Sequence, residues 1–74
     1  MTIGPVKHSL TLRGHRTSVT LEPEFWRAFR AIASEKDISV NGLAAQIDAG
    51  RPTDTGLASA IRVFVLQHYM AARR

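Results

Sequence analysis

The sequence predicts a mainly α-helical domain opened by a short N-terminal β ribbon, and three observations carry that prediction. Residues 7–21 alternate and are rich in Leu, Val, Thr and Ser, the period-two pattern of strands. From Pro23 the apolar spacing changes to that of a helix, with Phe25, Trp26, Phe29, Ile32 and Ala33 on one stripe. A helix-start signal at Ser39 and a Gly/Pro-rich stretch up to Gly56 then divide the remainder into two further helices.

Each element follows in order. Met1 to Pro5 reads as a loose terminus, and 6–21 as a β ribbon or hairpin. The alternation changes phase midway: Leu10 and Leu12 sit at even positions, Thr17, Val19 and Leu21 at odd ones. Strand side chains repeat every two residues, so something at Gly14 must absorb one residue, either a bulge or a turn. In the turn version Gly14-His15 forms a type II′ loop, Arg13 faces Arg16, Leu12 faces Thr17 and Leu10 faces Val19. Leu10, Leu12, Thr17, Val19 and Leu21 then share an apolar surface, and Ser9, Thr11, Arg13, Arg16, Ser18 and Thr20 the other.

Glu22-Pro23-Glu24 starts a helix over 23–36, with proline at the first position and acids by the positive dipole end. Phe25, Phe29 and Ile32 keep strict helical spacing, which favours core packing of the three aromatics over base stacking, and Arg27, Arg30 and Lys36 fall outside. After a turn at Asp37-Ile38, Ser39 caps a helix over 39–49 that turns Val40, Leu43, Ala44 and Ile47 inward. Residues 48–56 read as a loop, and Thr53, Asp54 or Thr55 is expected to cap a last helix over 56–73. That helix carries Ile61, Val63, Phe64, Val65 and Leu66, apolar on most sides and therefore expected to be largely buried. His68 on it reads as a packed or rim histidine.

Composition narrows the function. With 45% hydrophobic and 22% charged residues the chain is expected to fold, as one domain over 1–74. Ordering it costs about 110 kcal/mol at roughly 1.5 kcal/mol per residue, and so small a core leaves little surplus. There is no cysteine, which excludes disulfides and thiolate metal sites, and His8, His15 and His68 lack ligand spacing. No metal and no cofactor are expected; oligomerisation is the remaining source of stability. No stretch approaches the ~20 residues of a membrane span, and no signal-peptide core is evident, so a cytoplasmic protein without membrane contact is expected.

The formal charge of +4 is unevenly placed. Lys7, Arg13 and Arg16, with His8 and His15 beside them, occupy an acid-free segment that ends at Leu21, whereas the rest is nearly neutral. Such a segment suits a polyanion. No nucleophile elbow, paired acid/base site or phosphate-cradling glycine motif is present, so no catalytic residue and no enzyme activity are expected.

The run Arg16-Thr17-Ser18-Val19-Thr20-Leu21-Glu22-Pro23, followed by Ile38-Ser39-Val40-Asn41, resembles the ribbon-helix-helix (Arc/MetJ-type) DNA-binding family. It looks most like a small bacterial subfamily with a "GHRTSV" strand before "LEPEFW", and the likeness covers about residues 13–47. The resemblance implies an intertwined homodimer in which each chain gives one strand to an intermolecular ribbon that enters the major groove. It implies base contacts from Arg16, Ser18 and Thr20. Backbone N–H groups at Ser39, Val40 and Asn41 would meet a phosphate, and Lys7, Arg13 and His15 are candidate phosphate clamps. Val19, Leu21, Phe25, Trp26, Phe29, Ile32, Leu43, Ile47, Ile61 and Phe64 would form the dimer core.

The expected function is a nucleoid-associated transcriptional regulator, a repressor bound to double-stranded DNA as a homodimer or a higher assembly. The alternative is a protein-interaction module, such as an antitoxin or adaptor, that docks its apolar C-terminal helix on a partner. Two departures stand against the family pattern: the second helix is cut by residues 50–56, and residues 7–12 supply an extra strand. If that strand folds back as a hairpin, a dimer sheet has four strands, which puts its entry into the groove in doubt.

Overall fold

The structure, a computed structural model, describes residues 4–73. Of the expected loose terminus, Met1 to Ile3 lie outside the described residues. Two strands, β1 (Val6–Leu12) and β2 (His15–Leu21), form an antiparallel hairpin, followed by α1 (Pro23–Glu35), α2 (Val40–Gly50) and α3 (Leu57–Ala72).

The phase change of the alternation is absorbed by a turn, in a register other than the expected one. Leu12 pairs with His15, Leu10 with Thr17 and His8 with Val19. The two turn residues are therefore Arg13 and Gly14, with φ of 53° and 84°. Positive φ at both central positions defines a type I′ turn, whose twist matches that of the flanking strands. The pairing differs by two residues from the expected one, so every side chain keeps its face. Arg13 leaves the strand face, and Arg16 stands opposite Thr11 instead of another arginine.

The ribbon is closed within one chain. Of the two alternatives for residues 6–12, a hairpin strand or a continuation of the ribbon, the hairpin is the one observed. The inner face buries Leu10, Leu12, Val19 and Leu21 on the helices, while Thr17, expected among them, stays exposed.

Helix α1 starts at Pro23 and buries Phe29, Ile32 and Ala33. It ends one residue before Lys36 because Asp37 takes φ 57°, with Asp37 N–H donating to Ser34 O and Ile38 N–H to Ala33 O. This is a Schellman closure with aspartate in the place glycine usually fills. Ser39 caps α2, its Oγ accepting from Gly42 N–H at 2.9 Å. A Cβ on Gly42 would stand 3.0 Å from that Oγ, which accounts for a glycine inside the first turn.

Helix α2 runs on to Gly50, past the expected end at 49, and the connection shortens to residues 51–56. Arg51 fastens it, donating from Nε to Asp48 Oδ1 at 2.8 Å and from its guanidinium to Thr55 O. None of Thr53, Asp54 and Thr55 caps α3; Gly56 takes the N-cap position with no side-chain bond.

The return of α3 completes the core. Val19, Leu21, Phe29, Ile32, Leu43 and Ile61 are buried within the single chain, and Phe25, Trp26, Ile47 and Phe64 pack at its margin, half-buried. Helix α3 itself is not largely buried, contrary to its composition. It buries Ile61 and Val65, but Val63, Leu66, Tyr69 and Met70 are 42–61% exposed, because one layer of sheet and two helices cover only one side of it.

Candidate nucleic-acid interface

The hairpin sets out its polar side chains by parity. Arg16, Ser18 and Thr20 on β2 are all exposed on the outward face, opposite Thr11, Ser9 and Lys7 of β1, which are exposed there too. Six side chains with guanidinium, ammonium and hydroxyl groups thus share one surface. Guanidinium supplies a fixed fork of donors, whereas hydroxyls both donate and accept. Among the described residues no acid lies on either strand.

The backbone edges are partly covered. Leu12 and His15 flank the turn, so the N–H and C=O groups of Thr11, Ser9 and Lys7, and of Arg16, Ser18 and Thr20, point away from the partner strand. Asn41 Oδ1 accepts the Thr11 N–H at 3.1 Å, tying the first turn of α2 to the outer edge of β1. Arg62 of α3 reaches the edge of β2 from the other side, with Nη2 at 3.5 Å from Thr20 O.

Arg62 also donates from Nε to Glu22 Oε1 at 3.0 Å and lies 5.9 Å from the centroid of Phe25. The hydrogen bond from Arg62, above all, holds the Glu22 carboxyl below its ordinary value of 4.5. A second fastener is the stack of His8 on Trp26, with ring centroids 3.8 Å apart and 8° between planes. Together these fix the hairpin to α1 and α3, giving the outward face a rigid support.

The other expected contact residues lie at two places. Arg13 and His15 are exposed at the turn end, where they border a hollow with Asp48 and Arg51. Ser39, Val40 and Asn41 form the start of α2; the Ser39 hydroxyl is used by the cap and the Asn41 amide by β1. Lys7 belongs with neither, since it projects from the outward face opposite Thr20.

Arg27 and Arg30 of α1 line a hollow with Ser39 and Val40, which places two cations beside the α2 N-terminus. Their i, i+3 spacing was visible in the sequence, but which helix start they would face depends on how α1 and α2 pack. Among the described residues no cluster of His, Cys, Asp or Glu could hold a metal, and no helix is long and apolar enough to cross a membrane.

An antiparallel ribbon with a basic, hydroxyl-rich outer face, carried on a helix that begins at Pro23 and a Ser-capped second helix, defines a class of small domains built around a displayed β ribbon. The family model described as a ribbon-helix-helix domain matches residues 5–69, and the chain belongs to that family. No curated protein and no solved structure matches the chain significantly.

Proposed function

We propose that the protein is a DNA-binding transcriptional regulator, a repressor, that inserts the outward face of its ribbon into the major groove. The observation that carries this reading is the common face of Arg16, Ser18 and Thr20, exposed and free of acids, on a hairpin fastened to the helices. Arg16 donates to guanine O6 and N7, and the hydroxyls contact bases with less discrimination. Arg13 and His15 at the turn, with the α2 start and Arg27 and Arg30, meet phosphates and add affinity without sequence information.

The protein acts in this reading without catalysis, in the cytoplasm on the nucleoid, and as a homodimer. The exposed Val63, Leu66, Tyr69 and Met70 of α3 favour pairing of two copies. The domain measures 35 × 30 × 26 Å. The same apolar residues favour a second reading, an antitoxin or adaptor that docks α3 on another protein.

The test is selection of duplexes from a random pool, followed by mobility shifts at two salt concentrations. A selected duplex bound far more tightly than random DNA, with affinity falling steeply with salt, is the expected result. Indifference to duplex DNA at low salt overturns it in favour of the second reading.

A further inference from the structure

We propose that Asn41 is a positioning residue for base reading. Its side chain ties the strand position beside Arg16 to the start of α2, so that the reading face and the phosphate-binding end meet DNA in one fixed register. This deepens the DNA-binding reading and rests on it.

The observation is the hydrogen bond that Thr11 N–H donates to Asn41 Oδ1, 3.1 Å long. Thr11 stands directly across the ladder from Arg16. In an antiparallel pair whose N–H and C=O groups point away from each other, the Cα atoms are about 4.5 Å apart and the side chains are at their closest. Asn41 therefore fixes the cross-strand neighbour of the residue assigned to guanine. It is also the second residue of α2. The Ser39 hydroxyl serves Gly42 and the Ser39 carbonyl serves Leu43, so the N–H groups of Val40 and Asn41 have no partner among the described residues. One residue thus holds the ribbon through its side chain and offers its backbone to a phosphate.

Packing alone fixes this register less sharply. Leu10, Leu12, Leu43 and Ala44 share the core between β1 and α2, but apolar burial is non-directional, whereas a hydrogen bond demands both a distance and an angle. Asparagine is a poor helix former, and Asn41 is exposed, so neither helix propensity nor burial accounts for it at this position. The latch lies on the β1 side of the hairpin. Among the described residues no hydrogen bond from the helices reaches the outer edge of β2 at Arg16 or Ser18, so the latch acts whatever borders that edge.

Two variants separate this role from a direct phosphate contact by the side chain. Asn41→Ala removes the amide, whereas Asn41→Asp keeps an acceptor oxygen and loses the N–H donors. Asn41 is exposed, so both changes leave the core packed, and circular dichroism checks that each protein is folded. Affinity is measured for the duplex selected by the wild type and for random DNA, and hydrogen exchange is followed at the Thr11 amide. The charge added by aspartate weakens both duplexes alike, so the ratio of the two affinities isolates positioning. Asn41→Ala should lower that ratio about five-fold and open the Thr11 amide to exchange, while Asn41→Asp keeps both the ratio and the protection. A Thr11 amide that stays protected in Asn41→Ala, or a ratio that does not follow that protection in either variant, overturns the inference and leaves the DNA-binding reading standing. Wild-type protein that prefers no duplex over random DNA overturns both.

Discussion

Arg13 is an arginine in a backbone conformation that costs an L-residue about 1–2 kcal/mol, at a turn position where asparagine or glycine is at ease. Its guanidinium stands exposed at the ribbon tip, and the strain fits a residue kept for its charge. Arg13→Asn should therefore raise stability by about 1 kcal/mol in chemical denaturation while lowering DNA affinity and reducing the salt slope by about one. Arg16, on relaxed backbone, should behave differently: Arg16→Ala relaxes sequence preference at one base pair by about 1–3 kcal/mol, measured by competition between point-variant duplexes. Glu22 gives a pH signature. Its folded-state value lies below the ordinary 4.5, so the stabilisation it contributes is present above that value and is lost as pH falls through the lowered one. Carbon-detected titration should show this depression in the wild type and a smaller one in Arg62→Ala, where the backbone hydrogen bond at Glu22 still favours the carboxylate.

The elements show how far the sequence could be read. Which residues face out of the ribbon follows from period-two parity, so Arg16, Ser18 and Thr20 were legible before any register was known. The register was not, because it depends on whether Arg13 tolerates positive φ, and nothing in the alternation reports that. The Ser39 cap was legible from its chemistry, whereas the end of α2 was not: Ala49 and Gly50 stay helical because Arg51 fastens to Asp48 and Thr55 across the bend. Nor does any periodic signal link Asn41 to Thr11, thirty residues apart in sequence. Asn41→Ala should accelerate hydrogen exchange at the Thr11 amide, leaving the Leu10 amide, which faces β2, protected.

At the level of the whole molecule, α3 changes what a small chain can do alone. The bend at residues 51–56 returns α3 to α1 and β2, where Ile61 and Val65 join the buried core of the chain. Composition suggested a helix buried on most sides; its packing buries one side and leaves a surface. The Cα radius of gyration of 12.1 Å is close to the ~11 Å typical of a compact domain of this length, and a homodimer should approach ~15 Å. Small-angle scattering of the free protein should give the larger value if two copies pair through α3, with Val63→Glu or Leu66→Glu restoring the smaller one.

The ring stack between β1 and α1 makes the protein its own optical reporter. Trp26 is the sole tryptophan, and His8 lies flat against it at 3.8 Å. Any lifting of the hairpin from the helices separates the imidazole from the indole. Indole fluorescence, sensitive to that neighbour, therefore follows seating and unseating of the ribbon in unlabelled wild-type material, on the time scale of mixing with a duplex.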